Sequence, residues 1–168
     1  MIRPATADDL AELLAMVREL AAFESLSDQC VCTEEDLRAV LFEPGATVFD
    51  TVAVADDGSI VGHALWFRTF STFMGRSGIW LEDLYVRPAH RRQGHAGTLL
   101  ADLRSRTEGR VEWEVLEWNE EAIDFYQRLG ARPMAGWTRY RWTPPQPQAP
   151  LGMYGLGGPG MPRTMTGP

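Results

Sequence analysis

The chain has 168 residues, 45% of them hydrophobic, with 23 acids against 16 bases and a formal net charge of −7. That composition supports one folded domain with a sizeable core and excludes a disordered chain. The acidic balance argues against nucleic-acid binding through bulk charge, and no apolar run reaches the roughly 20 residues of a membrane span. All the bases are arginine, a bias that carries no mechanism in itself. No charged-then-apolar leader precedes Ile2, so a cytoplasmic protein is expected.

Ile2-Arg3-Pro4 predicts a short first strand. Asp8 or Thr6 can then cap a helix running to about Phe23, with Leu10, Leu13, Leu14, Val17 and Leu20 on its buried face. Cys30 and Cys32 follow, one residue apart. That spacing suits neither a bridge between them nor, with three scattered histidines, a zinc site, so reduced thiols and no metal are expected. Thr33-Glu34-Glu35-Asp36 opens a second helix with acids at its positive end, and Pro44-Gly45 stops it. Two apolar runs around Asp56-Asp57-Gly58-Ser59 predict a β-hairpin.

The acidic strand Leu81-Glu82-Asp83-Leu84-Tyr85-Val86 comes next, ending before Pro88. Adjacent strand residues point to opposite faces, so only one of Glu82 and Asp83 can face a given ligand unless a bulge re-aims the other. The loop Arg91-Arg92-Gln93-Gly94-His95-Ala96-Gly97 then leads into an apolar pattern at helical spacing. Small residues at a helix entrance leave backbone N–H groups free to converge on a phosphate, with arginine charge alongside. The glycine order is neither a Walker A loop nor a dinucleotide fingerprint. A strand from Val111 with alternating glutamates, a helix from Asn119 to Leu129 closed by Gly130, and an alternating strand Trp137-Thr138-Arg139-Tyr140-Arg141-Trp142 complete the fold. Residues 143–168 are dense in proline and glycine and predict a disordered tail after a domain of residues 1–142. The element order is mixed α/β with antiparallel strands first.

Arg91, Gly94 and Ala96 occupy the fixed places of Arg-x-x-Gly-x-Gly/Ala, which resembles the coenzyme A loop of the GNAT acyltransferases. IRPATADD, LEDLYV, the FSTFMGR turn and EWNEEAIDFYQRLGA extend the likeness to about residues 2–142. Within the family it is closest to diamine acetyltransferases of the spermidine/spermine type and their thialysine-acetylating relatives. The resemblance implies the GNAT fold, an α/β architecture with a mixed sheet of six to seven strands splayed in the middle and about four helices. It also implies acetyl-CoA as co-substrate, a small-molecule amine as acceptor and a homodimer.

By the same resemblance, the backbone of Leu84, Tyr85 and Val86 holds the pantetheine arm. The loop residues Arg91, Arg92, Gln93, Gly94, His95, Ala96 and Gly97 hold the pyrophosphate, and Asn119 contacts the coenzyme arm. Tyr126, by pattern alone a half-buried aromatic, takes the general-acid place. Glu82 binds the amine and removes its proton, with Asp83 in support, and Phe23 and Glu24 form a second substrate wall. Ser71 stands where the spermidine/spermine branch tends to carry an acid, which leaves polyamine, short diamine, thialysine-like amino acid and aminoglycoside acceptors open. Readings from other classes are acetylation of protein N-termini or lysines, a catalytically silent acyl-CoA-binding module, and nucleotide binding through the same loop. No cysteine or serine has a recognisable activating partner, so direct attack in a ternary complex is favoured over a covalent acyl-enzyme. His63 reads as a strand residue packed or satisfied locally.

Overall fold

The computed structural model describes residues 1–143 of the chain. One compact unit spans Met1–Ala131, and a second begins at Arg132. The first unit holds β1 (Ile2–Pro4), α1 (Leu10–Phe23), α2 (Glu34–Phe42), β2 (Val48–Val54), β3 (Ile60–Ser71), β4 (Arg76–Val86), α3 (His95–Ser105), β5 (Val111–Glu112) and α4 (Glu120–Arg128). The strands form one sheet in chain order, antiparallel from β1 to β4 and parallel only between β4 and β5. None of the helices among the described residues is long and apolar enough to cross a membrane.

Helix entry follows the caps read from the sequence. Thr6 donates its N–H to Asp9 Oδ2 at 2.7 Å, and Arg3 grips both oxygens of the same carboxylate at 2.6 and 2.9 Å. That fork holds the Asp9 carboxyl down at about 2, against a burial that opposes it. Thr33 Oγ1 accepts from Asp36 N–H at 3.2 Å at the start of α2. The two faces of the sheet carry separate cores. Leu10, Leu13, Leu14 and Met16 of α1 pack with Leu37, Val52, Leu65 and Tyr85 on one face. Leu99, Leu100 and Leu103 of α3 pack with Val61, Ala64, Trp66, Ile79 and Leu81 on the other.

Five strands are present among the described residues, where six to seven were expected. The strand predicted from Val111 stops after Glu112, because the chain then leaves β4 and Trp113 packs its ring on Tyr126 of α4. The alternating segment 137–142 forms no strand, and Trp137, Tyr140 and Trp142 are exposed. Alternation reports a propensity; a ladder also needs a partner edge, and none is paired to this segment among the described residues. The predicted tail, apart from Thr143, lies outside the described residues.

Candidate active site

The site grows from a break in the β4 ladder. Leu65 faces Asp83 while the next residue, Trp66, faces Leu81, so Glu82 is an extra residue opposite no partner. Such a bulge resets the alternation of faces. Leu81 and Leu84 both pack toward α3, and Glu82 and Asp83 between them both turn toward the α1 side. The bulge therefore places on one face two acids that strict alternation would separate. Glu82 is exposed, and its Oε2 accepts from Trp80 Nε1 at 2.8 Å. Asp83 lies deeper. Burial pushes its carboxyl above the usual range; His63 pulls it down, while Glu82 and Asp50 add to the rise.

Two distant elements extend the group, from Asp83 to Glu24 and from Glu24 to Tyr126. The end of α1 supplies Phe23 and Glu24, and Glu24 is raised above the usual range by burial and by the charge of Asp83. Helix α4 supplies Tyr126, whose phenol is pushed up to about 12 by burial and then by Glu24. Glu24 thus couples to both Asp83 and Tyr126. The aromatic frame holds the group in place: Tyr126 lies 4.9 Å from Trp113 and 5.4 Å from Phe125, and Phe23 lies 5.6 Å from Trp118, centroid to centroid. Cys32, in the segment leading to α2, also feels Asp83, and burial raises its thiol first. A cation among Glu24, Asp83 and Glu82 would favour the ionised forms of the raised carboxyls. A phenol at about 12 keeps its proton near neutral pH and can give it to a stronger base.

Beyond Trp80, β4 has no partner on its β5 side among the described residues, since the pair joins only Ile79 to Val111 and Trp80 to Glu112. The backbone of Leu84, Tyr85 and Val86 therefore lacks a β5 ladder among the described residues, and an extended ligand arm could take the bonds that β5 gives up, although Val86 O already accepts from Arg91 Nε. The Tyr85 ring itself is buried on the α1 side, its hydroxyl raised by burial and by Glu19.

The chain then turns through Pro88–His90 into the loop. Arg92 at φ 60° and Gly94 at φ 87° place left-handed residues on either side of Gln93, a backbone shape that gathers N–H groups into a concavity. The first helical bond of α3 runs from Thr98 N–H to Gly94 O at 3.0 Å, so the N–H groups of His95, Ala96 and Gly97 precede it. A Cβ built at Gly94 or Gly97 meets nothing within 4 Å. Free donors, a helix N-terminus and open space above them fit a pyrophosphate.

The side chains of this loop divide between the two ends of the site. Arg91 folds inward, its Nε donating to Val86 O at 2.9 Å and its guanidinium lying 5.2 Å from the Phe23 ring and 5.7 Å from Tyr85. It therefore ties the loop to the acidic end. Arg92 reaches outward to Glu121 at 3.4 Å, and Gln93 Nε2 donates to Ala89 O at 3.3 Å. His95 opens α3, and Asn119 caps α4, its Oδ1 accepting from Ala122 N–H at 3.3 Å. Ser71 sits at the far end of β3, accepting from Arg110 Nη2 at 3.1 Å and from Met74 N–H at 3.2 Å. Trp80, Trp113, Trp118 and Cys32 were not foreseen. Their signal lay in tryptophans flanking each predicted site segment, a pattern that fits core packing equally well. No group of three or more His, Cys, Asp or Glu side chains among the described residues is placed to hold a metal ion.

Residues 14–131 match the acetyltransferase (GNAT) family. The thialysine N-epsilon-acetyltransferase of Sus scrofa is 37% identical over 158 residues, covering 84% of this chain and 91% of the relative. The L-ornithine N5-acetyltransferase of Arabidopsis thaliana is 26% identical over 190 residues, covering 84% and 83%. An integron cassette protein from the mobile metagenome of V. cholerae shares the fold, with a TM-score of 0.70 at 22% identity over 86% of this chain and 92% of that one.

Proposed function

Because the chain belongs to the acetyltransferase (GNAT) family and is an N-acetyltransferase, we propose that it acetylates the primary amine of a short diamine or basic amino acid, with acetyl-CoA as donor. The observation that carries this reading is the cluster of Glu24, Asp83 and Tyr126 beside the open edge of β4. Two carboxyls, each raised by burial and by a neighbouring acid, suit a compact cation better than a neutral ligand. The relatives named for thialysine and L-ornithine point the same way, since both names denote amino acids with a side-chain amine.

The residues present fit the donor. His95, Ala96 and Gly97 would hold its pyrophosphate through their N–H groups, and Leu84, Tyr85 and Val86 would hold the pantetheine arm along that edge. Acetyl-CoA supplies a thioester carbonyl to the amine. An amine with a pKa near ~10 arrives as ammonium, so a proton must leave before it becomes a nucleophile. Asp83, with its raised carboxyl, is the better acceptor; exposed Glu82, held by Trp80, relays the proton to water. This moves the weight of proton removal from Glu82, where the sequence placed it, to Asp83. The free amine attacks directly: the N–C bond forms, the C–S bond breaks, Tyr126 gives its proton to the departing thiolate, and the second proton lost from the nitrogen restores the phenol. The products are the acetamide and coenzyme A, with one net proton released to solvent.

The test is release of free coenzyme A from acetyl-CoA across a panel of acceptors: thialysine, ornithine, short diamines, spermidine, an aminoglycoside and a peptide. Turnover concentrated on the short dibasic amines is expected. Turnover on the peptide alone, or coenzyme binding without turnover on any acceptor, would overturn the reading.

A further inference from the structure

His63 is the one histidine buried in the sheet, with no exposed surface at all. It lies at the middle of β3, directly opposite Val52 on β2 and Tyr85 on β4, on the face covered by α1. Its Nδ1 lies 2.9 Å from Asp50 Oδ2, and both side chains are sealed from solvent. Yet His63 Nε2 and Asp50 Oδ1 are buried with no hydrogen-bond partner. A sealed polar pair with unspent atoms is costly to keep, and replacing it by apolar side chains is commonly neutral or stabilising. Packing alone gives no reason for it.

The register supplies one. Asp83 faces Leu65, two residues along β3 from His63, so the bulged acid is the diagonal neighbour of the imidazole on the same face. We propose that His63, anchored by Asp50, is a positioning residue of the amine site: a sealed imidazolium that keeps the neighbouring Asp83 in its carboxylate form to receive the substrate ammonium. This rests on the assignment of Glu24, Asp83 and Tyr126 as the amine site.

The charged groups facing the ring agree. Burial works against the imidazolium, but the charge and hydrogen bond of Asp50, with the charge of Asp83, outweigh it, and the pKa lies above its ordinary value. Arg87 at the end of β4 opposes, but its guanidinium is itself held by Glu12 and Glu19 of α1 at 2.8 and 3.2 Å. The remaining α1 side chains in this core are apolar. In return, His63 is the group that lowers the Asp83 carboxyl, against burial, Glu82 and Asp50.

Two experiments test this separately. The first is the pH dependence of kcat/KM for the amine in wild type and His63→Gln, with the acetyl-CoA KM measured alongside. Glutamine can still bond to Asp50 but carries no charge. Removing a cation raises a neighbouring carboxyl, so the acid limb of the profile should move up by about one pH unit, and kcat/KM for the amine at pH values below the limb should fall about tenfold. The acetyl-CoA KM should hold. A limb that stays in place, or losses shared equally between both substrates, overturns the proposal. The second needs no turnover: titration of the imidazole C–H resonances by NMR in wild type and Asp83→Asn, with His63 identified by its absence from His63→Gln. The His63 transition should fall in pH when the Asp83 charge is removed. An imidazole already neutral near pH ~6, or one indifferent to Asp83→Asn, overturns the coupling even if no acceptor is ever found.

Discussion

The two ends of the site are made of different material. The loop around Gly94 works through backbone: N–H groups of His95, Ala96 and Gly97, two left-handed residues and open space above them. The acidic end is built from side chains at the end of α1, the bulge of β4 and α4: Glu24, Asp83 and Tyr126 are each shifted by burial and by a neighbouring acid. A backbone site tolerates most side-chain changes and fails when its space is filled. A side-chain site fails when one charge is lost, because the groups left behind are buried without it.

That contrast sets the size of the expected effects. Asp83→Asn should cost about a hundredfold in kcat/KM for the amine, the scale of truncating one member of a desolvated charge pair. Binding of acetyl-CoA, measured by calorimetry, should hold in that variant. Gly97→Leu should do the reverse, raising the acetyl-CoA KM about tenfold by filling the cradle, with the melting temperature held or raised because leucine favours a helix over glycine. An amine KM that moved with it would break the separation of the two ends.

Smaller effects test the frame. The Asp9 carboxyl sits at about 2 in the fold against 3.8 for the free group. Its contribution is therefore complete above the unfolded value and is lost as pH falls through about 2. Asp9→Asn should lower stability near neutral pH by about 1 kcal/mol, discounted because Arg3 is partly open to solvent. Urea midpoints for variant and wild type should converge as the pH drops through that window. Arg92→Ala removes an exposed pair with Glu121 and should change stability by less than about 0.5 kcal/mol.

The same contrast explains what the sequence made legible. The loop is contiguous, so Arg91, Gly94 and Ala96 mark it within a few residues, as Asp57-Gly58 marks the hairpin. The acidic end is assembled from positions as far apart as Glu24 and Tyr126, and only the family resemblance linked them in advance. One local clue was present. Leu81 and Leu84 frame two acids, a spacing that breaks strict alternation and is the mark of a bulge. Strand partners were the least legible: the segments after Glu112 and at 137–142 alternate well enough, but alternation cannot reveal which edge is free to pair. His63 looked like an ordinary strand residue because its partner Asp50 lies on another strand.

The central claim is that Tyr126, protonated and set beside the open edge of β4, gives its proton to the leaving thiolate. The most direct measurement is kcat on the preferred amine for Tyr126→Phe, paired with the coenzyme A dissociation constant of the same variant. The account predicts a fall of about a hundredfold or more in kcat with the dissociation constant unchanged. A variant that turns over at the wild-type rate, or that loses coenzyme affinity in step with rate, would contradict it.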